Sequence, residues 1–384
     1  MARQFKEFVT LAKQIKSLYI IYGSNVDNVL SASLLLKFFK EQDVDVHLAP
    51  FHRAPKPFSE GLVVGIGILQ RPVSGVRFLS IDDFLGKEPT ALQSTSLYLI
   101  KHIKDFWIVS RTLEALALSA MLSLSKASLY DENLVEIHRG VLEEALSKDM
   151  WEYSESIRFF GYPRRDIIQA LEKSIDPYIV GLSLDPESCA AINKRIREEF
   201  KGDVINKLVE EAEKILAKYS RITLKLVGPK ILIKNIEEIE DVYEAFYAMT
   251  FYMDLKGSEP LLYITLEPQL MKYMTSLMFS TLKKFKTLID TLIQSAGIKR
   301  FIIKGIRVGV VDISTEPSTP PLYTLYRILK GVGLAEEVMV FTNGKEFFLP
   351  IQFLEPRWPL DKEFNIEKNN VILSSLQSVG DVLK

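Results

Sequence analysis

Few residues in this chain are both reactive in type and placed where a fold could use them. The first group lies in the stretch Leu18 to Phe39, LYIIYGSNVDNVLSASLLLKFF. Its apolar run, Leu18 to Tyr22, reads as a buried strand, and Gly23-Ser24-Asn25-Val26-Asp27-Asn28 reads as a polar loop. Leu30, Leu34, Leu35, Phe38 and Phe39 then recur with a helical period. A strand that hands a polar loop to a helix N-terminus is where α/β proteins place their sites. This loop is poor in what chemistry needs: Asp27 is its one acid, and it holds no histidine or cysteine. Asp27 or Asn28 equally suits the N-cap of the helix. The second group, Ile81-Asp82-Asp83-Phe84, closes another apolar run, where Asp82 and Asp83 suit the capping of the next turn.

The elements that must position these residues follow from periodicity. Residues 4–17 predict an amphipathic helix. Residues 44–50, 62–69 and 76–82 predict strands that, with the first, form a parallel sheet covered on both faces. Residues 90–103 predict a helix, and residues 112–130, rich in Ala and Leu nearly all round, a buried one. From 131 to 220 the pattern is helical and charged, with i,i+4 charge pairs over 186–219. Beyond Ser220 a strand pair is expected at 221–228 and 231–236. A helix follows at 241–253, a strand at 261–266 and a long helix over 269–295. Two strands around Gly305, a helix at 320–331 and a hairpin turning at Asn343-Gly344 complete the chain. The expected class is α/β: residues 1–185 form a parallel-sheet domain, 186–220 a helical connector, and 221–384 a smaller mixed α/β domain.

Composition narrows the function classes. The 384 residues include 47 % apolar and 25 % charged side chains, ordinary for a globular protein. A formal net charge of −1 supplies no global attraction to nucleic acid. The single cysteine, Cys189, excludes an internal disulfide and a multi-cysteine zinc site, and reads as a buried apolar side chain. No apolar run approaches the ~20 residues of a membrane span, and the N-terminus is not a signal peptide. A soluble, cytoplasmic protein is expected.

The first domain resembles the DHH phosphoesterase superfamily, which includes the RecJ exonucleases. Those enzymes carry a loop of the form H-x-D-x-D-G-x-x-S-A between a strand and a helix. With Ser31-Ala32 fixing the frame, Gly23 takes the histidine position, Asn25 the first aspartate, Asp27 the second, and Asn28 the glycine. The family's I-D-H-H strand end matches Ile81-Asp82-Asp83-Phe84, so Asp82 is kept and both histidines are replaced. Gly65 and Gly67 stand where the second-motif aspartate belongs, and Ser125 near the later one. A two-metal phosphodiesterase needs enough ligands to hold two ions about 4 Å apart. By this resemblance only the vestigial positions Asp27 and Asp82 remain, with Asp83 nearby. None of the histidines (His47, His52, His102, His138) takes a ligand position. The family's G-G-G-H phosphate grip is reduced to Lys330-Gly331-Val332-Gly333-Leu334.

Architecture kept with both motifs lost is similar to the non-catalytic RecJ-like proteins of archaea, counterparts of cell division control protein 45. That resemblance implies a nucleoid-associated scaffold of the replicative helicase, bound to the GINS complex and the MCM ring, with no cofactor and no small-molecule substrate. Single-stranded DNA is a further expected partner. Its candidate contacts are Arg164 and Arg165, then Lys194, Arg195 and Arg197, then Lys283, Lys284 and Lys286, with Lys299 and Arg300 just beyond. Each cluster also reads as a solvated helix face. Phe285 and Phe301 are expected in the core. The alternative is a divergent Mn²⁺-dependent exonuclease or phosphodiesterase. A stand-alone single-strand-binding module is opposed by the near-neutral charge. The hairpin at 336–353 is a candidate sheet edge for a partner strand, and residues 356–360 place an aromatic between prolines.

Overall fold

The computed structural model describes residues 2–55, 62–70, 77–86, 93–125, 129–295, 297–358 and 363–383. Helix α1 (Ala2–Ile15) leads into β1 (Ser17–Tyr22), α2 (Val26–Lys40), β2 (Asp45–Pro50), β3 (Leu62–Ile66), β4 (Leu69–Gln70) and β5 (Arg77–Ser80). Strands β2, β1, β3 and β5 form a wholly parallel sheet in that order. Then come α3 (Ile81–Leu85), α4 (Thr95–Ile103), α5 (Arg111–Met121) and α6 (Glu132–Ala145). Parts of the expected loop 52–60, strand 76–82 and helices 90–103 and 112–130 lie outside the described residues.

Both faces of β1 are buried, as its unbroken apolar run requires, but by different partners. Leu18, Ile20 and Tyr22 face a core shared with α1, α2 and α5. Ile21 faces the other way, against Val308, Val310, Val338 and Val340. Those four valines belong to a second sheet, so a sheet from the C-terminal half covers the face opposite the helices. At roughly 25 cal/mol per Å² of apolar surface, such a shared core stabilises both halves together.

The middle of the chain departs from the expected all-helical pattern. Residues 151–157 form β6 (Trp151–Ile157), followed by α7 (Ile167–Lys173), α8 (Pro186–Glu199), α9 (Val204–Tyr219) and β7 (Val227–Ile233). β6 pairs antiparallel with β7 along its whole length. The expected pairing of 221–228 with 231–236 is therefore replaced: one strand, β7, joins the end of the first segment to the start of the second, and its partner comes from before the helices. The signal was the period-2 placing of Trp151, Tyr153 and Ile157, broken by Glu155. α8 and α9 close on Cys189, Ile196, Leu208 and Leu216, a small core distinct from the main one. Two buried ion pairs brace this region, Lys230 with Asp241 at 2.8 Å and Arg165 with Glu244.

α10 (Val242–Lys256) is buried nearly all round and forms the central post of the molecule. Residues 259–263 make a 3₁₀ turn instead of the expected strand; Pro260, with no N–H to give a ladder, sits in its first turn. The expected long helix is two, α11 (Leu270–Leu282) and α12 (Lys286–Ser295), separated by a 3₁₀ turn at Lys283–Phe285. β8 (Ile298–Ile303) and β9 (Ile306–Asp312) flank Gly305 as expected. α13 (Leu322–Gly331), β10 (Val338–Thr342), β11 (Phe347–Pro350), β12 (Arg357–Trp358), β13 (Ile366–Glu367), β14 (Asn370–Leu373) and α14 (Val379–Val382) follow. The second sheet is mixed, in the order β13-β14-β11-β10-β9-β8. The β10–β11 hairpin turns at Asn343-Gly344, with Gly344 at φ 86°, but it lies inside the sheet, so the edges are β8 and β13. Of residues 356–360, Arg357 and Trp358 pair with β4, tying the C-terminal segment to the N-terminal half, and 359–360 lie outside the described residues.

Candidate functional site

The polar loop after β1 enters α2 through Asn25, whose side chain accepts from the Asn28 N–H at 2.7 Å. Asn25 is thus the N-cap, rather than Asp27 or Asn28. This frees Asp27 to reach across to the start of α4. Its carboxylate is 2 % exposed. It accepts from Ser94 Oγ at 2.7 Å, Thr95 N–H at 2.7 Å, Ser96 N–H at 3.3 Å and Ser96 Oγ at 2.5 Å. An anion on the first N–H groups of a helix both satisfies those donors and complements the helix dipole. Asp82, in the first turn of α3, accepts from Thr95 Oγ1 at 3.3 Å. Asp27 and Asp82 therefore converge on Thr95, while Asp83 is exposed.

The other motif positions are closed by packing. Gly67 sits at φ +60°, and a Cβ there would lie 2.3 Å from the Asn28 side-chain nitrogen. A Cβ on Gly65 would lie 2.3 Å from the Phe78 ring. No aspartate fits either place without moving Asn28 or Phe78. Ser125 accepts from a buried cation on α13: Arg327 Nη2 donates to Ser125 Oγ at 2.8 Å and Nη1 to its carbonyl at 3.3 Å. The Arg327 guanidinium also lies 5.2 Å over the Phe246 ring. Lys330, at the end of α13 where the glycine-rich grip would be, approaches the Ser125 carbonyl at 3.5 Å. Burial, then the neighbouring Arg327 charge, lowers its ammonium to about 7. Gly331 is pressed on Asp176, since a Cβ there would meet Asp176 Oδ1 at 2.6 Å. Burial raises the Asp176 carboxyl to about 6, against the pull of Arg327 and the Tyr247 hydroxyl.

Further bonds close the cleft between the two halves. Ser24 Oγ donates to the Ile351 carbonyl at 3.4 Å, and Lys37 Nζ to the Thr265 carbonyl at 3.0 Å. Ser33 Oγ donates to the Leu262 carbonyl. Among the described residues, a cavity of about 10 Å³ beside Ser24, Ser123, Phe246, Tyr323 and Gln352 is no larger than one water needs.

These residues do not fit a two-metal centre. Asp27 is saturated by α4, Asp82 is its one neighbouring acid from the motifs, and Ser125 faces a guanidinium. Among the described residues no group of three His, Cys, Asp or Glu side chains is arranged to hold an ion. One histidine does stand nearby, which motif matching missed. His138 is fully buried, accepts the Ser94 N–H at Nε2 (2.9 Å) and donates from Nδ1 to the Leu134 carbonyl at 2.7 Å. Ser94, His138 and Asp27 are not a nucleophilic triad, because the imidazole holds the backbone of Ser94 and its hydroxyl is aimed at Asp27. Cys189 is buried, its thiol donating to the Leu182 carbonyl and pushed up to about 12 by burial.

The basic clusters divide. Arg164 donates to the Ile236 and Ile239 carbonyls, and Arg165 is held between Glu244 and Glu240. Lys286 pairs with Asp290 at 2.6 Å and with Asp185 at 3.5 Å. These three brace the fold. Lys194, Arg195, Arg197, Lys283 and Lys284 are exposed. Phe285 is buried as expected, whereas Phe301 is 41 % exposed, because β8 is an edge.

No family model and no curated protein matches the sequence. Among solved structures, CDC45 from Entamoeba histolytica matches with a TM-score of 0.57 at 10 % identity, covering 91 % of this chain and 87 % of that one. RecJ in complex with Mn²⁺ from Thermus thermophilus matches with a TM-score of 0.43 at 12 % identity, covering 100 % of this chain and 53 % of that one. The chain has the α/β fold of the CDC45 structure.

Proposed function

We propose that this protein is a non-catalytic RecJ-like scaffold subunit of an archaeal replicative helicase, joined to GINS- and MCM-type proteins. One observation carries the reading. The acid kept from the first motif, Asp27, serves the N-terminus of α4, and the position of the last ligand, Ser125, is bonded by Arg327 from the opposite domain. What corresponds to a catalytic cleft is thereby a bonded seam between domains. A subunit that must transmit force or hold neighbours in place gains from such rigidity; a nuclease that must admit a strand does not. The CDC45-type fold supports the replication context. Contact with single-stranded DNA is assigned to the solvated cations Lys194, Arg195, Arg197, Lys283 and Lys284.

The test is affinity purification of the tagged protein from its native extract, with nuclease added to remove DNA bridges. Recovery of GINS and MCM subunits in fixed ratio is expected. Recovery of neither, together with Mn²⁺-dependent cleavage of single-stranded DNA that is lost in Asp27→Ala and Asp82→Ala, overturns the reading in favour of the exonuclease.

A further inference from the structure

β8 ends the six-stranded sheet, and among the described residues no strand lies on its outer side. Its hairpin to β9 turns through Lys304 and Gly305, with φ of 50° and 86°, a two-residue turn of the kind that matches strand twist. Ile303 and Ile306 flank the turn and pair with each other. In such a hairpin the flanking pair exchanges hydrogen bonds, and so does every second pair beyond it. Phe301 with Val308 and Lys299 with Val310 are therefore bonded across to β9. Arg300 and Ile302 aim their N–H and C=O groups outward.

The side chains on this edge are unusual for a surface. Ile302 is 78 % exposed and Phe301 41 % exposed, on opposite faces of the same strand. An edge that is both unpaired and apolar is a template for another strand. The charge around it is positive. Lys299 and Arg307 are in or opposite the strand, and Arg300 and Lys304 add two more cations, tied to Glu336 and Asp381.

We propose that the outer edge of β8 receives an extended segment of a partner protein, with acidic and apolar residues alternating, as an added strand. Its backbone would bond the free groups of Arg300 and Ile302. Its apolar side chains, all on one face, would cover Ile302, and its acids, on the other face, would meet Lys299 beside Phe301. The same charges oppose two of the registers in which a second copy of this chain could pair: centring on Arg300 sets two arginines opposite each other, and centring on Ile302 sets Arg300 opposite Lys304, like charges that destabilise the pair. The register centred on Phe301 escapes this, and the dimer outcome of the test below covers it. The proposal goes beyond the scaffold reading and stands without it.

The test uses the full chain and two fluorescein-labelled peptides in anisotropy titrations. One alternates Glu and Asp with Ile and Val; the other carries Lys at the acidic places. The acidic peptide is expected to bind with Kd on the order of 10 µM, weakening as salt rises, and the basic one to bind at least about tenfold more weakly. Ile302→Pro removes an outward N–H without touching the β9 ladder, and is expected to weaken binding about tenfold or more. Ile302→Thr keeps the N–H and is expected to stay within about threefold. In the wild-type chain the Arg300 and Ile302 amides should exchange faster without peptide than with it, a readout that holds even if the proline variant unfolds. Equal binding of both peptides, no binding by the acidic one, or exchange unchanged by peptide overturns the proposal. So does a concentration-dependent dimer abolished by Ile302→Pro, which would give the edge to a second copy.

Discussion

Asp27→Ala separates the two lives this carboxylate could lead. In the structure it is a buried acceptor for the start of α4. Its removal takes away the carboxylate that the Thr95 N–H bonds at 2.7 Å. Removing the partner of a buried donor costs about 1–3 kcal/mol. Loss of the anion at a helix N-terminus adds about 0.3–1 kcal/mol. The hydroxyls of Ser94 and Ser96 lose less, because they lie 3.1 Å apart and can bond each other. The expected loss is about 3 kcal/mol, and roughly half that for Asp27→Asn, which keeps one oxygen. Urea unfolding followed by far-UV circular dichroism, extrapolated to water, measures it. Mn²⁺ should leave the wild-type curve where it is, because a ligand that binds only the folded state would shift it upward. A loss under about 0.5 kcal/mol, or a Mn²⁺-dependent stabilisation abolished by the substitution, refutes the reasoning, since an unsatisfied metal ligand is a source of repulsion rather than support.

Two further outcomes follow from buried charge. Burial pushes the Asp254 carboxyl up to about 7, against the Thr324 and Tyr323 bonds that favour its ionised form. The folded chain therefore keeps a proton that the unfolded chain, with its ordinary carboxylate, has released. Stability attributable to Asp254 is present below about pH 4 and falls by about 4 kcal/mol as pH rises to about 7. Asp254→Asn should flatten that slope in urea titrations at successive pH values; an unchanged slope rejects the assignment. Arg327→Met should cost about 3–5 kcal/mol, because it strips Ser125 of its donors and Asp176 of its compensating charge. Pairing it with Asp176→Asn should recover at least about 1 kcal/mol of that loss in a double-mutant cycle. Strict additivity would mean that the two groups do not sense each other.

Much was legible in the residues themselves. The apolar runs at 18–22 and 62–69, the latter a strand only to Ile66, and the loop between β1 and α2 are local patterns, and local patterns set strand, loop and helix. The strand break around Gly305, the turn at Asn343-Gly344 and the burial of Cys189 and Phe285 were equally plain. The matches of Asp27 and Asp82 to motif positions needed only spacing. What the chain alone could not supply were contacts between distant segments. That Asp27 serves α4 depends on residues 94–96 folding back over the first loop. That Ser125 meets Arg327 depends on the docking of two halves more than 200 residues apart. β6 was missed because its partner β7 lies beyond three intervening helices. The second sheet, not helices, covers Ile21, since periodicity reports that a face is buried and never by what. Which strands end a sheet is likewise a property of the whole: every strand sequence has a free edge until another pairs with it, and among the described residues the second sheet ends at β8 and β13.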